Sequence, residues 1–198
     1  MLPAELAVDT VTGSALRLEC GAVIDVDRRL PDFVFRQRFV KYFVAEYSAV
    51  YRREFGSFLS QLAAIYGDNR VNYLMVDPKL KVPFGATAAC SGLASFDPIH
   101  LEERYIPIMY RDGATPGVLV IADIGAFWGS SLGWAIYCDR ISWEIAVIAV
   151  SKEIDVPKVG AFRCLTAAQL SSYVGSAYSW KPGVAEDFNR RFFANYQL

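Results

Sequence analysis

The stretch that decides the fold is residues 132–150, LGWAIYCDRISWEIAVIAV. Two runs within it, Leu132–Cys138 and Trp143–Val150, are apolar at nearly every position and rich in residue types typical of strands. Residues 139–142 between them form a loop of hairpin length. The stretch therefore predicts two antiparallel strands. Because neither run shows an alternating polar face, we expect helices to cover both faces of the sheet.

Further strands are predicted on either side of this hairpin, at Val71–Val76, Val118–Ala122 and Ala161–Cys164. In residues 1–30, apolar side chains alternate with charged ones at the period of a strand, at Leu16, Leu18 and Cys20. Residues 79–95 contain prolines and glycines, which favour irregular structure or a short hairpin.

Helices are predicted where apolar residues recur at helical spacing behind a start signal: over 32–54, after Gly56, from Asp97-Pro98, after the capping-box residue Thr166 and from Pro182-Gly183. The first of these is unusually aromatic, which indicates either core packing or a binding face. Together with the antiparallel central hairpin, this order of elements predicts an α+β fold, with a mixed or antiparallel sheet and helices packed on it. We expect a single domain over residues 1–198.

Charge and apolar run length exclude several classes of protein. The chain carries 20 basic and 21 acidic residues, and this balance argues against nucleic-acid binding. No apolar run approaches the roughly 20 residues that span a bilayer, and Met1–Thr10 lacks the features of a signal peptide. The four widely spaced cysteines are interpreted as free thiols in a reducing compartment. We therefore expect a cytoplasmic protein with no membrane or nucleic-acid partner.

The inventory of catalytic residues is short. The usual Ser-His-Asp and Cys-His sets need a histidine base, and the only histidine, His100, is interpreted as a structural or solvated residue in the first turn of a predicted helix. No residue spacing is typical of a zinc site. Gly129–Gly133 fits Gly-x-Ser-x-Gly around Ser131. A nucleophile elbow, however, has a strand before it, a helix after it and a histidine later in the chain. We interpret the segment as a tight turn, and predict no catalytic residue, no metal and no cofactor.

Residues 128–150 hold three of the four tryptophans, together with charged residues beside two turns. Tryptophan and arginine are enriched at interface hot spots, so this stretch is predicted to lie at or near a binding surface. The residues assigned to the surface are Trp128, Ser130, Trp134, Asp139, Arg140, Trp143 and Glu144. The alternative explanation for the tryptophans is core packing.

Part of this stretch resembles a pattern found in small bacterial proteins. Gly129–Arg140, GSSLGWAIYCDR, followed by Glu144–Val147, EIAV, is similar to a segment of the immunity proteins of polymorphic toxin systems. The resemblance covers the central hairpin, and residues 66–68 and 76–78 are compatible with it. It brings no catalytic residues. It implies tight binding to a protein partner, a cognate toxin, and a block of that toxin's active site.

The leading hypothesis is therefore a cytoplasmic protein that neutralises or sequesters a protein partner, as a toxin–immunity protein does. Two alternatives stay open. One is an enzyme without histidine or metal, with a pocket that holds at least two of Ser131, Tyr137, Asp139, Arg140 and Glu144. The other is a structural or oligomerisation subunit whose interface is the aromatic helix predicted over 32–54.

Overall fold

The computed structural model describes residues 10–78, 92–110 and 118–198. The apolar runs of these residues form six strands: β1 (Lys41–Glu46), β2 (Val71–Asp77), β3 (Leu93–Phe96), β4 (Ile124–Gly129), β5 (Trp134–Asp139) and β6 (Ile145–Val150). The α-helices are α1 (Thr10–Val23), α2 (Arg53–Tyr66), α3 (Leu101–Met109), α4 (Val118–Ile121), α5 (Ala167–Ala177) and α6 (Pro182–Tyr196). Two 3₁₀ helices, Tyr47–Tyr51 and Pro98–His100, precede α2 and α3.

These strands form one antiparallel sheet in the order β1-β6-β5-β4-β2-β3. β5 and β6 are the predicted central hairpin, with Trp134 opposite Val150 and Asp139 opposite Ile145. The α+β fold class is therefore confirmed, and the sheet is antiparallel rather than mixed.

Successive residues of β5 enter two different cores. Trp134, Ile136 and Cys138 pack on one face of the sheet with α2 and α3. Ala135 and Tyr137 pack on the opposite face with α1, α5 and α6. Every residue of β4, β5 and β6 is buried, so the expectation that helices cover both faces is confirmed. The ends of these strands and the loops between them are left to form the surface.

A helix, α1, replaces the strands predicted in residues 1–30. Leu16, Cys20 and Val23 are buried at spacings of four and three, which is the pattern of a helix face. Leu18 lies on the other side and is 77% exposed. The period-two alternation arises because the exposed face of this helix carries one leucine.

The long helix predicted over residues 32–54 is wrong: within this range only the 3₁₀ helix Tyr47–Tyr51 and the first two residues of α2 are helical. Phe35, Phe39 and Tyr42 do pack against each other, with ring centroids 5.5 Å apart in the first pair and 6.5 Å in the second. The backbone at Phe35 and Phe39, however, is not helical and leads into β1, which contains Tyr42. Tyr196 of α6 contacts both Tyr42 and Phe35, at 5.5 and 6.3 Å. Tertiary packing accounts for the aromatic spacing, so the proposed oligomerisation helix is not present.

Two of the other predicted strands are also wrong. Val118–Ile121 forms α4, and β4 begins at Ile124. Residues 161–164 form no strand, although the next residue, Leu165, donates a backbone hydrogen bond of 2.7 Å to Val44 of β1. Leu165 and Val44 thus form an isolated β-bridge, which does not add a strand to the sheet.

Several other elements are confirmed. β2 lies where a strand was predicted, and the Asp97 side chain caps its helix by accepting a hydrogen bond of 2.9 Å from the Ile99 N–H. Both hydrogen bonds of the capping box form between Thr166 and Gln169. Of the segment 79–95, residues 79–91 lie outside the described residues, and its end forms β3. Among the described helices, none has the length and apolar character needed to cross a bilayer.

Candidate functional site: an aromatic surface beside the β5–β6 loop

The structure divides the seven candidate binding residues between the two ends of the sheet. Trp128, Ser130 and Trp134 lie at the turn between β4 and β5. The other four lie at the opposite end, where β5 leads into β6: Asp139, Arg140, Trp143 and Glu144. Because β5 has six residues, its two ends are about 17 Å apart. The seven residues therefore do not form one site.

The β4–β5 turn is held by the carboxylate of Asp68. Its Oδ1 atom accepts hydrogen bonds from the Ser131 backbone N–H at 2.5 Å and from the Ser130 hydroxyl at 3.3 Å, and its Oδ2 atom accepts one from the Trp134 indole at 2.7 Å. A Cβ atom on Gly129 would overlap this carboxylate. The Gly-x-Ser-x-Gly pattern is thus a tight turn, as predicted, and its first glycine makes room for Asp68.

Trp128 and Trp134 are both fully buried, so neither indole is available to a partner. This corrects their assignment to the binding surface. A carboxylate from a neighbouring element satisfies each indole N–H: Asp68 accepts from Trp134, and Glu19 of α1 accepts from Trp128 at 3.2 Å. A tryptophan whose N–H is satisfied internally can bury its whole ring, which is what both do. Ser130, also part of the turn, is partly exposed.

The groups required by the enzyme alternative are also divided. Ser131 lies in the β4–β5 turn, where its hydroxyl accepts a hydrogen bond of 3.1 Å from the Gly133 N–H. Tyr137 is buried and donates to the Arg28 carbonyl at 3.3 Å. Asp139, Arg140 and Glu144 lie at the far end of β5 from Ser131. The serine is therefore about a strand length away from these charged groups.

Asp139 holds the β5–β6 loop from inside. It is 1% exposed, which corrects its placement on the binding surface, and its Oδ1 atom accepts from the Ser142 N–H at 2.7 Å and the Trp143 N–H at 3.3 Å. Its Oδ2 atom is buried with no hydrogen-bond partner in the described part of the chain. Burial raises the pKa of the Asp139 carboxyl above its usual range, opposed by these hydrogen bonds and the nearby Arg29 guanidinium.

Arg140 is anchored to the start of β4. Its guanidinium donates to the Ala122 carbonyl and pairs with the Asp123 carboxylate, each at 2.7 Å. The side chain is 29% exposed, so this charge lies at the surface but is already neutralised by its neighbour. Arg140 therefore fixes the loop in place more than it offers a free cation.

Trp143 is the one candidate tryptophan that reaches the surface. Its indole N–H donates to the Leu30 carbonyl at 3.1 Å, and its ring packs on Phe188 of α6 with centroids 4.0 Å apart. On its other side it contacts Tyr178 at 4.9 Å, and Tyr178 contacts Trp180 at 6.2 Å. A row of rings thus runs from the core to a tryptophan that is 75% exposed. We call Trp143, Tyr178 and Trp180 the aromatic surface.

Sequence reasoning missed Tyr178 and Trp180. They lie between α5 and α6, more than 30 residues after the β5–β6 loop, and the Tyr178 hydroxyl joins the two segments by donating to the Ser142 carbonyl. Trp180 directly precedes Lys181, the N-cap of α6, where hydrophobic residues are common, so its position gave no signal of a binding surface. Nothing in the sequence indicated that this segment meets residue 142.

Two glutamates flank the aromatic surface. Glu144, in a left-handed conformation with φ 54°, is exposed, and the Tyr173 hydroxyl lies 3.5 Å from its carboxylate. Glu46 is the exposed last residue of β1. Burial, followed by the charges of Glu144 and Glu46, raises the pKa of Tyr173 to about 12. The two glutamates lie side by side, because Glu46 pairs with Ile145 in the β1–β6 ladder and the Tyr47 N–H donates a hydrogen bond of 2.7 Å to the Glu144 carbonyl. We call Glu46 and Glu144 the acidic rim.

Two other features of the described residues, the surroundings of His100 and the cysteines, show no comparable arrangement. His100 is exposed in a shallow cleft with Asp97, Glu103 and Arg104. Within residues 10–78, 92–110 and 118–198, no three His, Cys, Asp or Glu side chains are grouped to hold a metal ion. The three cysteines described are free thiols, and burial raises the pKa of each of them.

Comparisons of the chain with protein-family models, with curated proteins and with solved structures gave no match.

Proposed function

We propose that this protein is a binding protein of the immunity or inhibitor type, which neutralises a partner protein through the aromatic surface. The observation that carries the proposal is the exposure of Trp180. This ring is 75% exposed although it continues a row of packed rings that begins in the core at Phe188. A large aromatic side chain buries about 150–250 Å² when it is covered, so the exposed Trp180 ring offers a partner a large contact area.

The support of the aromatic surface suits it to a stable interface. Two hydrogen bonds hold these rings in place. The Trp143 indole donates to the Leu30 carbonyl, and the Tyr178 hydroxyl donates to the Ser142 carbonyl. Rings that are already fixed lose little conformational freedom when a partner covers them, so more of the contact energy contributes to affinity. Tryptophan and tyrosine near the centre of an interface are the residues most often found as hot spots.

The resemblance of the central hairpin to bacterial immunity proteins supports the same function. Such a protein needs a rigid scaffold and an exposed interface, with no chemistry of its own. We infer a complex that buries about 1,600 Å² in total, the standard size for specific protein pairs, in a bacterial cytoplasm. The β5–β6 loop, with Arg140 and Glu144, would lie inside this area.

The test is growth rescue. Bacterial cells that express the toxin encoded by the gene adjacent to this one should grow only when this protein is also present. Trp180→Ala should abolish rescue, and calorimetric titration of the purified pair should show Kd raised about 30-fold or more, the usual effect of losing a hot spot.

The matched control is Ile99→Ala. Ile99 is 81% exposed, like Trp180, but belongs to the 3₁₀ helix before α3. This variant should rescue growth and bind like the unmodified chain. Rescue that survives Trp180→Ala would exclude the aromatic surface as the interface. An adjacent gene product that this chain neither binds nor neutralises would contradict the immunity function itself.

A further inference from the structure

The rings of the aromatic surface are placed to receive a cation. Tyr178 and Trp180 lie 6.2 Å apart with their planes inclined by only 30°. The exposed face of a tryptophan carries the strongest attraction for a cationic side chain among the aromatic residues. An apolar partner group alone would use the area of these rings but not their charge distribution.

The acidic rim adds negative charge that no described basic residue neutralises through an ion pair. Glu46 accepts a hydrogen bond of 3.2 Å from the Ser48 hydroxyl, and Glu144 lies 3.5 Å from the Tyr173 hydroxyl. Both donors are neutral, and neither carboxylate forms an ion pair with another described residue. Lys181 follows Trp180 directly, but its ammonium is not within ion-pair distance of either glutamate.

Glu144 connects the acidic rim to the aromatic surface. It follows Trp143 in the chain, contacts Tyr173 on one side, and acts electrostatically on Tyr178 on the other. Burial, then Asp139 and Glu144, raise the pKa of Tyr178. A carboxylate beside exposed rings satisfies both requirements of a guanidinium, which stacks by its flat face and donates hydrogen bonds from its edge.

We propose that the aromatic surface and its acidic rim bind an arginine side chain of the partner protein, with the guanidinium against Tyr178 or Trp180 and its N–H groups toward Glu144 and Glu46. This inference rests on the proposed function and specifies the chemistry of the partner. An ammonium is a compact point charge without a flat face, so lysine should bind more weakly.

The same charges disfavour a second copy of this chain as the occupant. A symmetric dimer through this surface would bring Glu46 and Glu144 of one copy against the same residues of the other. Like charges placed opposite each other across an interface repel, which disfavours this pairing. Sedimentation of the purified chain should therefore show no self-association through these residues.

The test uses the chain alone, so that it does not depend on identifying the partner. The probe is Nα-acetyl-arginine amide, titrated into protein labelled with ¹⁵N, with the indole N–H signals of the tryptophans as the readout. Signals of Trp143 and Trp180 should shift saturably with a millimolar Kd. Those of Trp128 and Trp134, which are fully buried, should not move. Nα-acetyl-citrulline amide, which has the same shape without the charge, should leave all four in place.

Glu144→Gln and Glu46→Gln should each weaken binding of the probe about two- to fivefold, the range of an exposed ion pair or cation–π contact. The unmoved signals of Trp128 and Trp134 report that these variants are folded. Equal shifts with the citrulline compound, or no saturable shift at about 50 mM, well above millimolar Kd values, would overturn the arginine site.

Failure of the two proposals can be told apart. Growth rescue without arginine binding would leave the binding function and remove the arginine site. Saturable binding of the arginine probe without any neutralised partner would leave the arginine site and remove the immunity function. Self-association that Glu144→Gln strengthens would assign the surface to a second copy and overturn the arginine proposal.

Discussion

The carboxylate of Asp68 accepts a hydrogen bond of 2.7 Å from the indole N–H of Trp134, and so joins the end of α2 to the start of β5. The indole is fully buried, and the other oxygen of Asp68 holds the Ser131 N–H in the β4–β5 turn. One carboxylate thus satisfies a core tryptophan and fixes the path of the chain between two central strands.

Replacement of Asp68 by alanine should destabilise the protein. The buried indole N–H of Trp134 would lose its acceptor, and such a loss costs about 1–3 kcal/mol, more when the acceptor is charged. We expect the free energy of unfolding to fall by about 3 kcal/mol in urea titrations. Asp155→Ala, at an exposed position with no hydrogen bond to another described residue, is the control and should change it by less than about 0.5 kcal/mol. A similar small effect at Asp68 would contradict this role.

Two glycines offer a matched pair of substitutions. A Cβ atom on Gly129 would overlap the Asp68 carboxylate and the Trp134 indole, whereas one on Gly175 of α5 meets no atom within 4 Å. Gly129→Ala should lower the free energy of unfolding by about 2 kcal/mol or more, as overpacking does. Gly175→Ala should raise it by up to about 1 kcal/mol, because alanine is the better helix former. Thermal unfolding of both variants measures the two changes in stability. Equal effects would show that the β4–β5 turn shifts to accommodate the added Cβ atom.

Ser131 should be unreactive. The only histidine of the chain, His100, lies in the 3₁₀ helix before α3. The Ser131 hydroxyl accepts a hydrogen bond from the Gly133 N–H. We expect a fluorophosphonate reagent not to label the protein, as judged by intact mass. Ser131→Ala should cost about 1 kcal/mol of stability, the value of one hydrogen bond. Covalent labelling that disappears in Ser131→Ala would instead revive the enzyme alternative.

The stability of the protein should depend on the protonation of Asp139. Burial raises the pKa of this carboxyl in the folded state above the value of 3.8 for an unperturbed carboxyl, so the folded chain holds the proton more tightly than the unfolded chain. The stabilisation by this group is complete below the unfolded pKa and is lost as pH rises through the folded pKa.

Asp139→Asn provides the comparison, because asparagine does not titrate and keeps an oxygen for the Ser142 and Trp143 N–H groups. The free energy of unfolding of the unmodified chain minus that of the variant should be larger near pH 4 than at pH 7. Urea titrations across this range measure the difference. A difference that grows with pH would mean that the folded-state pKa is lowered, not raised.

The sequence predicts the part of this fold whose signals are local. The apolar runs on both sides of residues 139–142 have no polar face, and a loop of that length leaves only an antiparallel pairing. The capping box of Thr166 and the aspartate cap at Asp97 are likewise satisfied within a few residues. Such features depend only on residues close by in the sequence, and each is found where it was predicted.

Features that depend on distant contacts were not predicted. The aromatic residues near Phe35 imitate a helix because their rings surround Tyr196, which lies about 160 positions later in the chain. The binding surface has the same origin. Trp143 was assigned to it from the sequence, but Trp180 reaches it only through the contact of Tyr178 with residue 142. Composition cannot distinguish Trp128, which is buried, from Trp180, which is exposed.

The order of strands in the sheet has a consequence for how the protein folds. β4, β5 and β6 follow each other through short connections, whereas β1 pairs with β6 across about 100 positions of the chain. The β4–β6 meander should therefore form in the folding transition state, and β1 should join afterwards. In stopped-flow experiments, Ile136→Val should slow folding, whereas Val44→Ala should mainly accelerate unfolding. The strand that carries Glu46 would then be the last to settle, so the acidic rim would be completed only when folding ends.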